Sequence, residues 1–522
     1  MQRFASTPAQ PGEIERLLDE APRSAFHRRA VLVSGMGFFT DAYDLFVIAT
    51  VAALVKTEWH LGTTGTSWVT GSAILGAFVG AFVFGRIADH LGRKRVYVLV
   101  AAIMILGAVG SALAPGFAWL VVARFVLGLG IGGDYPVSAV LMSEYANRDD
   151  RGRLVGLVFS MQAVGLVVGP LVAVVLLGSG LGSGIVWRLL LGLGAVPAAT
   201  VVYLRTKMPE SPRFRAAVQG DREQATQELA AFTGLSTAGP DVGAAGSDGA
   251  AGTGGAASPG GDLGRPGFRR LVTDPRMWRL MLGTAGCWFL FDYAYYGNTL
   301  SLPAILKDVD ATASVITNLA LSLAIFVVFA VPGYAAAVLR MDRVGHRRLQ
   351  AIGFGAMAVL FVLLGAVGGL TTSVVPFLLV FGLSYFFVEF GPNTTTFVLP
   401  SEVFPVEVRA TGHGTAAGIG KLGAFVGVFV VPQLSSALGL RGMLVTAGVV
   451  SVAGLGLTFL LPEPARRGLE EVAAGGDGYM RSGASMPSSP SPQASTRAVR
   501  SQSSRRLRRV SSSGAFSTGQ RS

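Results

Sequence analysis

Seven ionisable residues, Asp41, Asp44, Arg124, Asp134, Asp292, Glu389 and Lys421, stand inside long apolar stretches of this 522-residue chain. A charge at the centre of a bilayer costs roughly 2.5 to 3.5 kcal/mol on insertion scales, so such residues face a protein interior and mark a path for a charged solute or a proton. Lys421 and Asp292 form the sharpest pair. A lysine ammonium is a compact point charge suited to an oxyanion, and Asp292 can accept a hydrogen bond from an acidic hydroxyl. Together they suit an oxyanion that keeps a proton at neutral pH; sulfate, which keeps none, would set Asp292 against another negative charge. The other role open to the pair is a structural lock between two helices. Trp288, Asp292 and Tyr296 follow i, i+4, i+8 and so share one helix face. Asp41, Asp44 and Asp134 are candidate proton carriers, because a carboxyl in a low-dielectric cavity can change its charge as the cavity opens. They could instead be an acidic cluster neutralised by Arg124. Glu389 is open to either role, a member of that path or a polar packing contact.

The elements that position these residues follow from composition. Hydrophobic residues make up 51% of the chain and charged residues only 14%, against about 25% charged in soluble proteins. Mean hydropathy is +0.53. Apolar runs recur at 29–55, 66–88, 95–113, 117–142, 153–179, 184–206, 277–302, 312–339, 347–367, 372–399, 408–436 and 440–462. Backbone groups left unpaired in hydrocarbon are too costly, so each run is a helix and the protein is an all-α membrane protein of twelve spans. Counting about 1.5 Å of rise per residue, Asp41, Asp292 and Lys421 lie at one depth, roughly 18 to 23 Å in. The net charge of +12 would point a soluble chain towards nucleic acid. Here it does not, because eight Arg against Asp477 alone crowd into 476–522. The single Cys287 allows no intrachain disulfide, and residues 1–27 contain no cleavable signal, so the first span is expected to act as its own insertion signal.

Loop charges give the expected orientation. Arg28, Arg29, Arg93, Lys94, Arg95, Arg148, Arg151, Arg153, Arg340, Arg343, Arg347 and Arg348 all fall on one side, which places both termini in the cytoplasm. The domains read as a cytoplasmic segment 1–28, a six-helix half 29–206, a largely disordered loop 207–276 that is Gly/Ala/Ser-rich over 236–264, a second six-helix half 277–462 and a disordered basic tail 463–522. The halves repeat one another. DHLGRKR from Asp89 recurs as DRVGHRR from Asp342, and Pro209-Glu210 as Pro462-Glu463, both 253 residues on. Ser143-Glu144 with Arg151 recurs as Ser401-Glu402 with Arg409, 258 residues on. Parallel repeats with a midplane site at their interface are a transporter architecture. The repeated residues Asp89, Arg93, Glu144, Arg151, Asp342, Glu402 and Arg409, with Arg124, are assigned to gating; Asp89 is expected to cap a neighbouring helix and to pair with Arg151 or Arg153. Gly128, Gly130, Gly132 and Gly133 allow close helix approach.

GRIADHLGRKR, its echo DRVGHRR and the ArgxxxGlyxGly of RFVLGLGIGG resemble the major facilitator superfamily over about 30–462. GMGFFTDAYDLFVI, GGDYPVSAVLMSEYANRDDRG, CWFLFDYAYYGNTL and FGPNTTTFVLPSEVFPVEVRATGHG resemble, more narrowly, its phosphate:proton symporters. His346 departs from the pattern where a basic residue is common. The resemblance implies a cofactor-free carrier, not an enzyme, that imports inorganic phosphate with protons by alternating access in the cytoplasmic membrane. It also implies substrate contacts from Tyr135, Gln162, Trp288, Tyr296 and Asn393 beside Asp292 and Lys421. The expected partners are phosphate, protons and the lipid bilayer, with no nucleic acid. Two other functions fit the same residues: proton symport of an aromatic or sugar acid, and nutrient sensing through the loop and tail.

Overall fold

The computed structural model describes residues 13–474 apart from 22, 222–223, 226–270 and 272. The stretch 236–264 and the tail after Gly475 lie outside the described residues. Among those described there is no strand. The membrane helices are α1 (Ala25–Glu58), α2 (Thr63–Leu91), α3 (Arg93–Ala112), α4 (Phe117–Tyr145), α5 (Arg151–Gly178), α6 (Ser183–Thr206), α7 (Pro275–Leu300), α8 (Val315–Val344), α9 (His346–Ala366) and α10 (Val374–Val403). The last helical stretch, Arg409–Thr458, is broken at Gly439 (φ 69°, ψ 171°), which divides it into α11 (409–438) and α12 (440–458). Ten described helices are long and apolar enough to cross a membrane. Asp292, the tyrosines and the arginines of α7 dilute its apolar character, and the Gly439 break turns one of the ten into two. The spans therefore number twelve.

Several helices overrun their apolar sequence at the arginine-rich end. α4 continues to Tyr145 and α10 to Val403, because Ser143, Glu144, Ser401 and Glu402 are buried in protein and need no lipid-compatible side chain. The tail also begins later than expected. Residues 463–474 are ordered, with Leu469–Ala474 a short helix whose Leu469 and Val472 are buried. Residues 207–221 likewise start the central loop in ordered form, with Arg213 and Phe214 buried.

Within each half the helices approach on glycine. A Cβ at Gly128 of α4 would sit 1.9 Å from the Ala73 carbonyl of α2, and one at Gly423 of α11 would sit 2.2 Å from that of Phe289 in α7. Small residues let backbones meet where hydrocarbon supplies no net hydrophobic drive. Across the halves, Gly414 of α11 would place a Cβ 2.4 Å from the Ala81 carbonyl of α2. α5 faces α8 in the same manner, Gly156 against Met341. The interface between these four helices and α1, α4, α7 and α10 encloses the midplane residues.

Candidate functional site

The helices that carry the site depart from regular α-helix where they meet it. α5 has an irregular turn at Met161, which keeps helical dihedrals (φ −61°, ψ −17°), directly before Gln162. α10 opens into a π-helical turn over Glu389–Asn393 that contains Pro392, and α8 has a π-helical segment, Phe326–Ala330, one turn before Tyr334. Such bulges redirect a side chain without ending the helix. The seven expected substrate residues come together, and none is more than 4% exposed. Lys421 Nζ donates to Asp292 Oδ2 at 2.9 Å and to the Tyr296 hydroxyl at 3.0 Å. The same ammonium lies 4.7 Å from the Tyr135 ring centroid and 4.4 Å from that of Tyr296, distances at which a ring face attracts a cation. Trp288 packs edge-on to Phe397 and His413.

A second group of polar contacts leads away from the lysine. Gln162 Nε2 donates to the Tyr135 hydroxyl at 3.4 Å, the Tyr334 hydroxyl donates to Gln162 Oε1 at 2.9 Å, and Asn393 Nδ2 donates to the Tyr334 oxygen at 2.8 Å. Asn393 also donates to Glu389 Oε2. Tyr334 joins the N-half residue Gln162 to the C-half residue Asn393, and sequence reasoning missed it. Its only signal was a hydroxyl in an apolar span, VPGYAAAV, which reads equally well as packing.

Aromatic contacts between the halves close the site on two sides. Phe397 stacks on Phe159 at 4.5 Å and meets Phe38 edge-on at 4.9 Å towards the arginine-rich end. Phe46 stacks on Tyr296 at 5.9 Å on the other side. A solute reaches Lys421 only if the halves part at one end.

The three aspartates of the N-half occupy different surroundings. Asp134 forms a two-point pair with Arg205, 2.8 Å to Oδ1 and 2.9 Å to Oδ2, and the guanidinium lies over Tyr97 at 3.9 Å. Arg124 is therefore not the partner of Asp134; it sits beside Asp44, donating to that residue's main-chain carbonyl at 3.0 Å. Nor does Arg124 sit with the gate, because it lies twenty residues, about 30 Å, along α4 from Glu144. Arg205 was overlooked because a basic residue near a span end reads as topology. Both carboxylate oxygens of Asp41 and of Asp44 are buried without a hydrogen-bond partner. The Asp134–Arg205 pair lies against Gly37, one turn before Asp41 on α1, where a Cβ would stand 2.2 Å from both side chains.

At the arginine-rich end the repeated motifs interlock. Asp89 accepts from the Thr411 amide and hydroxyl, each at 2.6 Å, and from the Ala410 amide at 3.3 Å, capping α11 of the opposite half. Asp342 accepts from the Arg153 amide at 2.9 Å and so caps α5. Arg93 bridges Asp89 and Glu144, each at 3.2 Å, while His346 lies 3.5 Å from Asp342 and 3.0 Å from Glu402. Arg409 reaches Glu144 at 3.5 Å. The expected cap by Asp89 is present, but its pairing with Arg151 or Arg153 is not. Arg151 instead bonds Asp19 at 2.7 Å and the Arg467 carbonyl at 2.9 Å. Asp19 also holds Arg213 at 2.6 Å, and Arg213 reaches Glu470 at 3.0 Å. Outside the spans, the Arg23 guanidinium hydrogen-bonded to Asp150 holds that carboxyl below the usual carboxylate range.

Two six-helix repeats around an enclosed midplane site define a membrane transporter of the major facilitator fold. The solved proton:xylose symporter XylE bound to 6-bromo-6-deoxy-D-glucose shares this fold, with a TM-score of 0.70, 20% identity, and 87% of this chain and 99% of that one covered. XylE from E. coli in a partially occluded inward-open conformation gives 0.65 at 18% identity over 84% of this chain and 99% of that one. The family model for sugar (and other) transporters matches residues 30–475, and the chain belongs to that family. Relatives include Inorganic phosphate transporter 1-11 of Oryza sativa subsp. japonica, 34% identical over 88% of this chain and 90% of that protein. Low affinity inorganic phosphate transporter 4 of Petunia hybrida is 35% identical over 88% and 94%.

Proposed function

We propose that the protein imports inorganic phosphate together with protons by alternating access across the plasma membrane, with the arginine-rich face and both termini in the cytoplasm. The carrying observation is Lys421, buried and bonded to Asp292 and Tyr296. An ammonium offers charge to the phosphate oxyanion, while a carboxylate beside it accepts a hydrogen bond from the phosphate hydroxyl, so the two together favour a protonated oxyanion over sulfate. Tyr135, Gln162, Trp288 and Asn393 complete the contact set, and the phosphate transporters named above support the choice of anion. Asp41 and Asp44 carry protons. Asp134 sets the field they feel through Arg205. Asp89, Arg93, Glu144, Asp342, Glu402 and Arg409 close the cytoplasmic gate, with Arg151 strapping the N-terminal arm across it. Loading must change the balance between the two open states for coupling to arise. In proteoliposomes, an inward proton gradient is expected to accelerate phosphate uptake, and excess sulfate to leave it unchanged. Uptake indifferent to collapse of the gradient would overturn the proton coupling, and full competition by sulfate the proposed selectivity.

A further inference from the structure

Glu389 is the one membrane carboxyl of the C-half that the transport reading leaves without a task. It is fully buried in the π-helical turn of α10. The groups against it are neutral: Asn393 on its own helix, Tyr334 from α8 and Tyr295 from α7, with Tyr385 one turn back on α10. α9 packs beneath the turn with Gly353 against Pro392 and Gly391, and Gly333 of α8 would set a Cβ 3.0 Å from that of Glu389. Neither brings a charge. The nearest charged groups of α7 and α11, Asp292 and Lys421, already compensate each other. An ionised carboxylate in that setting would be an uncompensated buried charge, costing several kcal/mol.

The hydrogen bonds join this carboxyl to the anion site. Asn393 spends both amide hydrogens, one on Glu389 and one on Tyr334, and Tyr334 continues to Gln162 and Tyr135. An amide has two donors and no more. Asn393 can therefore turn the donor it spends on Glu389 to an anion once Glu389 holds a proton and becomes a donor itself. Removing the negative charge from Glu389 favours the anion for the same electrostatic reason.

We infer that Glu389 is a proton-carrying positioning residue: it holds a proton while the loaded site switches its opening from one side to the other and, through Asn393, ties that proton to occupancy of the site. The proton comes from water admitted when one end opens and returns to water at the other, with no covalent step. This rests on the phosphate-symport reading. The test combines two measurements on the full chain with Glu389→Gln, which keeps the shape and the neutral state. Infrared spectra of the purified protein are expected to show a carboxylic-acid band that is missing from Glu389→Gln, is lost as the pH rises, and survives to higher pH once phosphate is added; a band that is absent or does not titrate overturns the inference whatever the substrate, and one that phosphate leaves unmoved overturns the link to occupancy. In proteoliposomes, the protons carried per phosphate are expected to fall by one in Glu389→Gln, while phosphate exchange at equal pH on both sides persists. An unchanged ratio overturns the carrier role even with the band present. Failure of the transport reading is distinct, since the unaltered protein would then move no phosphate at all while the infrared result still reports on Glu389.

Discussion

At the scale of residues, the Lys421–Asp292 pair allows two roles to be separated. Removing one partner of a buried ion pair leaves a bare charge and costs about 3 to 5 kcal/mol, whereas replacing both with apolar groups can be neutral. Lys421→Met is therefore expected to lose phosphate binding and to unfold earlier in detergent. Lys421→Met combined with Asp292→Leu should recover thermal stability without recovering binding. If the double variant binds phosphate, the pair is only a lock between α7 and α11. Tyr334 bears a related prediction. Tyr334→Phe removes one hydroxyl and strands Gln162 Oε1 and an Asn393 hydrogen, each buried group costing about 1 to 3 kcal/mol when unpaired. Phosphate affinity by equilibrium binding should drop about tenfold or more; unchanged affinity would detach Tyr334 from the site. These two cases also show what was legible. Lys421 and Asp292 were conspicuous because charge is rare in an apolar run, whereas Tyr334 and Arg205 acquire their roles only from what the fold sets beside them.

At the scale of elements, the repeated loops make a sharper prediction than the spans do. Gly92 and Gly345 sit 253 residues apart with φ of 93° and 101°, and each is followed by amides that donate to one glutamate: Arg93 and Lys94 to Glu210, His346 and Arg347 to Glu463. A side chain at such φ, with ψ of 151° and 142°, costs roughly 1 to 3 kcal/mol, and a Cβ at Gly92 would also stand 2.5 Å from Glu210 Oε2. Gly92→Ala is expected to lower thermal stability by at least that amount, while Gly355→Ala, inside α9 with open space around it, should not lower it, because alanine is the better helix former. Equal effects would discount the turn. The repeat of these motifs was readable from offsets alone, because both copies serve the same loop geometry. Helix ends were not: apolarity stops at Met142, yet α4 runs to Tyr145 because protein rather than lipid surrounds its last turn. The π-turn at Glu389–Asn393 was equally hidden, since only the Pro392 within it hints at irregular backbone.

At the scale of the whole molecule, the two halves are fastened by related but unequal latches. Asp89 accepts three bonds from the start of α11, whereas Asp342 accepts one from the start of α5 and shares His346 with Glu402. Hydrogen bonds to a charged acceptor contribute about 1.5 to 3 kcal/mol each, so the closed arginine-rich end depends more on the first latch than on the second. A carrier that must close this end before it opens the other is slowed by any loss of closed population. Spin labels at Arg95→Cys and Arg348→Cys, both exposed and in opposite halves, in a Cys287→Ala background would report the separation directly. Asp89→Ala is expected to move the population towards long distances by about tenfold or more, which corresponds to only about 1.4 kcal/mol, and to slow uptake accordingly. Asp342→Ala should produce a smaller shift in the same direction. The reverse ranking would mean that His346 and Glu402, rather than the helix cap at Thr411, carry the closure, and that the weaker-looking copy of the motif is the one that controls the gate.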